Sequence, residues 1–576
     1  MSSVQKNYFI TETCITILFT LKLWLPLLTY GSLLIFFPVW KNYVTPKFFL
    51  FSAISILVCI NCLYLELMFT NYSIYVDFNA QSSLVNNLVP YISLSFNPLS
   101  IFFSFLVFLI GLTTNIYVLN YFKNEANESL FIFWLNCFIL SMVVLVLAQN
   151  FFTLFLGWEL IGLSSFFLIN FWNIRRGTLK SSFKAFTFNL ISDLCLLSAL
   201  CCFYLESNTT DISVFLFLIF NNFSASFYLT TGTVLLIICA SIKSVQVGGH
   251  LWLPDSMEAP VPASSLIHSA TLVSAGIYLL AKFNILVVLT NSVSILTVIG
   301  ALSACYGGLV SASQTDLKKL LAYSTMSHCG FLWIIASNGN FLILILYLYL
   351  HGIFKAATFY CAGSMIYNFS TQDSRQMGIA NKFLPTDSIL LIVCAANLGG
   401  LPFTVGVVFK NFFFNLQLSS IEILLVIGFT IIGLLSGVIY FFRLVTYCVF
   451  DFYKGEKYPV SKSLFTVKNT NMLSLTSRNH VVAVVTLLLG ASLFVFFFKA
   501  IFYSQMYCEL VTLFNLNSLL YFYFYNLFYS LYLLIIMLLG LVVWRKNIFI
   551  TSSLGIIISI IVLLTCEVKL WQRLIH

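Results

Sequence analysis

Charged residues are scarce in this chain of 576 residues, because Asp, Glu, Lys and Arg make up only 8% of it. A typical soluble domain has about 25%. With 28 Lys and Arg and 19 Asp and Glu residues, the chain cannot cover the surface of a soluble protein of 65.2 kDa. This excludes a soluble enzyme, a nucleic-acid-binding protein and a disordered scaffold. The mean hydropathy of +0.99 indicates a protein whose solvent is lipid.

A metal-binding cysteine pattern and an amphipathic leader are also missing. The Cys59-x-x-Cys62 pair has no second pair at the spacing of a metal site, so we interpret the 15 cysteines as small apolar side chains. The N-terminus has no Arg- and Ser-rich amphipathic segment, which favours synthesis inside an organelle or a bacterium. The abundance of Phe (61) and Tyr (29) is typical of a small A/T-rich organellar genome.

Apolar runs follow one another along the whole chain. At about 20 residues per span, the length fits about 14 to 16 transmembrane helices. The runs lie near 20–40, 47–69, 98–119, 129–148, 150–171, 185–205, 228–248, 262–286, 291–312, 319–336, 339–367, 385–409, 419–446, 480–503, 527–544 and 548–566. They predict an all-α polytopic membrane protein.

The charge of the loops predicts the orientation. If the N-terminal side is called A, lysines and arginines concentrate in the loops on side B, as at Lys41, Arg175, Lys318, Lys319 and Lys454. By the positive-inside rule, side B is the matrix or the cytoplasm. Both termini are then expected on the opposite face, which in a mitochondrion is the intermembrane-space side.

Several ionisable residues fall inside the predicted spans. A charge at the centre of a span costs about 2.5–3.5 kcal/mol on insertion scales, so its presence indicates a function. Glu159 is the clearest case, because a Glu side chain cannot reach the membrane surface as Lys does. A buried lysine loses its proton more readily than an exposed one and therefore suits proton transfer. The alternative is a Lys–Glu pair that only fixes helix packing. The candidates are Glu159, Lys184, Asp193, Lys243, His268, His351, Lys355 and Lys410.

His351 and Lys355 lie one turn apart and share a helix face, so a proton can pass between them along the helix. The alternative for the histidine is an ordinary interhelical hydrogen bond. A haem ligated by His268 and His351 is a further alternative, which the neighbouring lysines disfavour because they would repel a cationic iron.

Two spans contain helix-breaking residues next to a lysine. Lys243 precedes Gly248 and Gly249, and Gly399-Gly400-Leu401-Pro402 precedes Lys410. Broken helices at matching places in two halves of a chain are typical of transport sites built from inverted repeats. The distance between Lys243 and Lys410 along the chain fits a repeat of about five helices.

Four motifs carry a resemblance to a known family. The segment from Lys243 to Thr271 reads KSVQVGGHLWLPDSMEAPVPASSLIHSAT, and the others are LGWE at 156–159, DLKKLLAYSTMS at 316–327 and QDSRQMG at 372–378. Together they resemble the antiporter-like, proton-pumping subunits of NADH:ubiquinone oxidoreductase (respiratory complex I). The match runs from about Asn97 to Lys410, and the lysine at 410 favours the subunit-5 branch of that family.

The resemblance implies an organisation and a site. It implies N-terminal helices over 1–97, an antiporter-like core with two inverted five-helix repeats over 98–446 and C-terminal helices over 447–576. Because only residues 545–547 separate the last two apolar runs, we expect the family's long lateral helix to be absent or much shortened. The implied proton pathway comprises Glu159, Lys243, His268, His351, Lys355 and Lys410, with Lys184, Asp193 and His328 as secondary members.

Three positions depart from the family pattern. Leu190 stands where an arginine is usual, so we expect Asp193 to have lost a partner and Glu159 to be the carboxylate that answers the buried lysines. Tyr347 stands where a second histidine is often found. Asn411 stands where an acid is usual, which leaves Lys410 without an adjacent carboxylate.

The resemblance also implies a function and partners. The chain is predicted to move protons in the mitochondrial inner membrane, driven by quinone reduction on other subunits that hold NADH, FMN, iron–sulfur clusters and ubiquinone. It is expected to carry no cofactor, metal or redox chemistry itself. The expected partners are other membrane-arm subunits, especially subunit 4, accessory subunits and lipids such as cardiolipin, with no nucleic acid. The alternatives are a subunit of a multi-subunit sodium/proton antiporter and a structural arm subunit that no longer pumps.

Overall fold

The computed structural model describes residues 93–122, 125, 127–222, 226–337, 339, 341–378, 380–401, 404, 406 and 422–450, together with Tyr30 and Ile74–Asp77. All of them belong to the compact unit Met1–Leu516. Outside the described residues lie the second unit, Asn517–His576, and with it the prediction about the lateral helix. Lys410 and Asn411 also lie outside them, as do the predicted span near 20–40 apart from Tyr30 and the predicted spans near 47–69, 480–503, 527–544 and 548–566.

Helices make up most of the described chain. In chain order they are α1 (Pro98–Tyr121), α2 (Glu128–Leu147), α3 (Phe151–Ile169), α4 (Arg176–Ser207), α5 (Ile212–Asn222), α6 (Phe227–Lys243), α7 (Val261–Ser269), α8 (Leu272–Lys282), α9 (Asn284–Leu289), α10 (Val293–Ser313), α11 (Leu317–Ser337), α12 (Phe341–Phe369), α13 (Ala380–Phe383), α14 (Pro385–Gly399) and α15 (Glu422–Val445). Short 3₁₀ helices cover Asp255–Glu258 and Ser374–Gln376, and a π-helical turn, Thr446–Phe450, follows α15.

The predicted polytopic all-α fold is confirmed. Among the described residues, nine helices are long and apolar enough to cross a membrane, and each apolar run predicted between 98 and 446 coincides with at least one helix. Two details differ from the sequence prediction. Helix α4 begins at Arg176, before the predicted run at 185–205, because the hydropathy of its polar first turns is too low to extend that run. Helix α5 is an additional helix that is too short to give a spanning run.

One small β-ribbon accompanies the helices. Strands β1 (Ile74–Asp77) and β2 (Ser93–Phe96) pair in antiparallel fashion, with Ile74 opposite Phe96. Next to the ribbon, the Gln149 amide donates to the Ser93 carbonyl at 3.1 Å. This contact ties the ribbon to the segment between α2 and α3, so those two helices are held together at one end.

Close approach of helix backbones organises the core around α10 and α11. A Cβ atom at Gly330 would lie 2.5 Å from the backbone nitrogen of Ala304, and one at Gly307 would lie 2.7 Å from that of Ser327. Small residues at such crossings are typical of membrane helices, because packing rather than water exclusion drives their association. The crossing fixes α11, whose inner face carries several of the polar groups described below.

The predicted helix break near Lys243 is present. Helix α6 ends at Lys243, and the buried Val245 that follows has φ = 60°. A β-branched residue in this conformation stores about 1–3 kcal/mol of strain and is typical of functional sites. A second interruption, at Ala270 and Thr271, separates α7 from α8. In the other half, α14 ends at Gly399 and Gly400 adopts φ = 71°, which a residue with a side chain rarely tolerates.

Candidate functional site

Lys243 forms the centre of a first polar cluster. As the last residue of α6, it is 1% exposed, and its Nζ atom lies 3.5 Å from Oδ1 of Asp193 on α4. The same ammonium group donates to the Trp158 carbonyl at 3.4 Å and lies 4.9 Å from the centre of the Trp158 ring. The buried charge is therefore held by a carboxylate, a carbonyl oxygen and an aromatic face, each of which lowers the cost of burial.

The pairing of Asp193 with Lys243 corrects the sequence interpretation. Asp193 has not lost its partner, and it is Asp193 rather than Glu159 that forms the ion pair. The physical reason is the rotation of α4, which points Asn189, Ser192 and Asp193 inward while Leu190, 44% exposed, lies on the outer face.

Glu159 lies on the exposed face of α3. It remains within electrostatic range of both Asp193 and Lys243. Of the two carboxylates, Asp193 is the inner one, paired with Lys243, and Glu159 is the outer one.

A second polar cluster surrounds Lys355, which is completely buried on α12. Its Nζ atom donates to Oγ of Ser324 at 2.5 Å and to the Leu321 carbonyl at 3.1 Å, both on α11. A serine hydroxyl can donate as well as accept a hydrogen bond. The Ser324 contact therefore serves the charged and the neutral form of Lys355.

Three buried histidines complete the second cluster. The His351 ring, one turn before Lys355, lies 5.0 Å from the ring of His328 on α11. His268, at the end of α7, shares a hydrogen bond of 3.2 Å between Nε2 and Oγ of Ser256, and it lies within electrostatic range of Lys355 and His351. Nδ1 of His268 and Nε2 of His351 have no hydrogen-bond partner in the described part of the chain.

The structure places a tyrosine on each side of His328. Oη of Tyr347 lies 2.7 Å from Nδ1, and Oη of Tyr440 on α15 lies 3.3 Å from Nε2. Tyr347, a departure in the sequence, therefore keeps a polar contact inside the cluster. Sequence reasoning missed Tyr440, whose only signal was a polar ring inside an apolar span.

Neutral polar groups lie between the two clusters. Ser244, next to Lys243, accepts a hydrogen bond of 2.7 Å from Nε1 of Trp333 on α11. Gln246 accepts from Ser303 at 2.5 Å. Because α11 also carries Ser324 and His328, this one helix contacts both clusters. Serine, glutamine and tryptophan occur in many spans, so no sequence pattern distinguished these residues.

Lys184 and Lys318 differ from their predicted settings. Lys184 forms an ion pair with Asp255 at 2.6 Å, with both side chains about 40% exposed, so it lies outside the buried clusters. Burial, and secondly the charge of Lys184, lower the pKa of nearby His250, which lies between the spans. Lys318, predicted as a loop charge, is buried and donates to the carbonyls of Met257 at 3.3 Å and Ala259 at 3.1 Å.

The residues of both clusters lie in a part of the chain that matches a known protein family. The family model described as the transmembrane region of NADH:quinone oxidoreductase and Mrp antiporters matches residues 148–447, just over half of the chain. The chain belongs to this family. The matched residues contain both clusters.

Curated relatives of this NADH:quinone oxidoreductase/Mrp antiporter chain include two proteins named NADH-ubiquinone oxidoreductase chain 5. The one from Paramecium tetraurelia is 43% identical over 366 residues, which cover 62% of this chain and 64% of the relative. The one from Chondrus crispus is 35% identical over 336 residues, which cover 56% and 50%. The chain therefore spans about half to two thirds of the length of these relatives.

Two solved structures share the fold. A chain in the structure of the Mrp complex from Dietzia sp. DQ12-45-1b has a TM-score of 0.70 and 24% identity, with 81% of this chain and 49% of that chain covered. A chain in the membrane-bound sulfane sulfur reductase, an archaeal respiratory membrane complex, has a TM-score of 0.66 and 17% identity, with 82% and 97% covered. At these identities the likeness establishes the fold alone.

Proposed function

We propose that this chain is a proton-translocating membrane-arm subunit of an NADH:ubiquinone oxidoreductase in the mitochondrial inner membrane. The observation that carries the proposal is the burial of Lys243 and Lys355 inside membrane spans, each beside groups that can exchange a proton or answer its charge. The names of the curated relatives support the same assignment.

The two clusters suggest how the chain works. Protonated Lys243 is stabilised by Asp193, so a change of charge near Glu159 on the outer face alters the hold on its proton. Lys355 exchanges its proton with the histidines around it, and Lys410, outside the described residues, is a further proposed member of the pathway. Quinone reduction on other subunits, which hold the NADH, FMN, iron–sulfur and ubiquinone sites, supplies the driving change. Subunit 4 is the proposed neighbour, with accessory subunits and cardiolipin around it.

The second candidate is a subunit of a sodium/proton antiporter, which the fold of the Mrp complex favours. Sodium is a hard cation that requires several oxygen ligands, whereas a buried lysine occupies the centre of each cluster and three histidines surround the second one. The chemistry of the clusters therefore fits protons better than sodium. A structural arm subunit that no longer pumps is the third candidate, and it differs from the first only in proton movement.

One experiment separates these candidates. The native particle that contains this chain is purified, reconstituted in vesicles and supplied with NADH and a short-chain quinone in buffers with and without sodium. The proposal predicts NADH oxidation with proton uptake into the vesicle lumen that does not depend on sodium. Sodium-dependent proton exchange without NADH oxidation would identify the antiporter instead.

A further inference from the structure

Helix α15 contributes a polar side chain to the second cluster, although none of its residues belongs to the predicted pathway. We propose that Tyr347 and Tyr440 relay protons to and from His328 and so make it a two-sided proton-transfer group, which branches from the His351–Lys355 pair toward α15. The inference rests on the proposed function as a proton-translocating subunit. It adds two residues and a direction to the pathway.

A tyrosine hydroxyl lies beside each ring nitrogen of His328. Oη of Tyr347 lies 2.7 Å from Nδ1 and Oη of Tyr440 lies 3.3 Å from Nε2. His328, Tyr347 and Tyr440 are 2%, 4% and 1% exposed, so the phenols and not bulk water meet the ring nitrogens. The three residues come from α11, α12 and α15, three separate spans.

Hydrogen-bond rules limit which groups donate and which accept in this arrangement. A neutral imidazole has one N–H donor and one acceptor nitrogen, so one tyrosine must donate to the ring while the other accepts from it. Both neutral tautomers of His328 satisfy the two hydrogen bonds, and they differ only in which tyrosine donates to the ring. A protonated ring donates to both phenol oxygens, so the same site also holds the cation with both of its N–H groups satisfied.

The proton transfer is balanced at the ring. One proton reaches Nδ1 through Tyr347, whose own hydrogen is replaced from the His351 side, and the ring becomes a cation. The hydrogen on Nε2 then passes to the Tyr440 oxygen as Tyr440 gives its own hydrogen to a water molecule, which is the acceptor that the proposal requires. One proton enters and one leaves, and the ring returns to neutrality as the other tautomer.

The position of His351 connects this branch to Lys355. Tyr347, His351 and Lys355 are spaced one turn apart along α12 and therefore share a face of that helix. The His351 and His328 rings are 5.0 Å apart, and Nε2 of His351 has no hydrogen-bond partner within the described ranges. A proton on His351 can thus pass to Lys355 or toward His328.

A purely structural role is the rival explanation, since a Tyr–His–Tyr contact also fastens three helices. The variant His328→Gln separates the two roles. A glutamine amide can still accept from one tyrosine and donate to the other, but it cannot hold a proton or exchange tautomers. Tyr440→Phe removes a single oxygen from the branch. Tyr278→Phe is the matched control, because Tyr278 is equally buried and its hydroxyl donates to the Val146 carbonyl at 2.6 Å, away from the cluster.

The experiment measures protons moved per NADH oxidised and the thermal midpoint of the intact complex in vesicles carrying each variant. His328→Gln is expected to keep the wild-type midpoint and lower the ratio of protons to NADH, and Tyr440→Phe is expected to lower the ratio likewise while Tyr278→Phe leaves it unchanged. A wild-type ratio in His328→Gln would overturn the branch. If His328→Gln does not assemble, a wild-type ratio in Tyr440→Phe would overturn it equally. Failure of the unmodified complex to move protons would instead refute the proposed function.

Discussion

The ammonium group of Lys243 lies 3.5 Å from the carboxylate of Asp193, in a pair whose side chains are 1% and 10% exposed. At this distance and burial each charge compensates the other, so neither is buried alone. The pair lies where α6 ends and where Val245 adopts a strained backbone. The pair is therefore next to a strained turn, which backbone hydrogen bonds from Ser244 to Ala240 and from Gln246 to Ser241 close.

The Lys243 pair predicts that Asp193→Asn destabilises the complex more than Glu159→Gln. Removing one partner of a buried pair leaves the other charge uncompensated, which costs about 3–5 kcal/mol where the lysine cannot shed its proton. Glu159 lies on an exposed face and loses much less. Thermal unfolding of the purified complex measures the difference, and an equal or larger loss for Glu159→Gln would contradict the assignment of the inner carboxylate.

The crossing of α2 and α3 predicts different outcomes for two glycines of α3. A Cβ at Gly157 would lie 2.6 Å from the backbone nitrogen of Leu145, whereas one at Gly162 would meet nothing closer than 3.7 Å. Gly157→Ala forces the helices apart, at a cost of about 1–3 kcal/mol. Gly162→Ala gains helix propensity of up to about 1 kcal/mol. The yield of assembled complex on native gels should fall for the first variant and hold for the second; equal yields would argue against this packing.

Adjacent lysines at the start of α11 provide a third test. Lys318 is buried and donates to the carbonyls of Met257 and Ala259, which form the turn before α7. Each hydrogen bond to a charged group contributes about 1.5–3 kcal/mol, so Lys318→Met should lower the thermal midpoint. Lys319 makes an exposed ion pair with Asp316 at 3.3 Å, which contributes at most about 1 kcal/mol. Lys319→Met should therefore behave like the wild type, and a loss as large as that of Lys318→Met would show that the turn does not depend on Lys318.

Hydropathy and helix-breaking residues predicted the spans, the break at Lys243 and the burial of Lys355. They could not predict the Asp193–Lys243 pair, because it depends on the rotation of α4 relative to α6. For the same reason, a charge pattern along the chain could not tell that Lys318 is buried while Lys319 is exposed. Tyr440 is remote in sequence from His328, and only the packing of α15 against α11 brings their polar atoms together.

Replacing Lys355 with methionine tests whether protons move through the buried lysines. Methionine has a similar length and no charge, and it removes the donor to Ser324 and Leu321 without leaving a cation buried. Lys282→Met is the matched control, because Lys282 donates to the Ala148 carbonyl at the end of α2, outside both clusters.

The measurement is the number of protons moved per NADH oxidised by the intact complex in sealed vesicles. We expect the Lys355→Met complex to assemble and oxidise NADH but to have nearly lost proton translocation, while Lys282→Met keeps the wild-type ratio. A wild-type ratio in Lys355→Met would contradict proton movement through the buried lysines and remove Lys355 from the pathway.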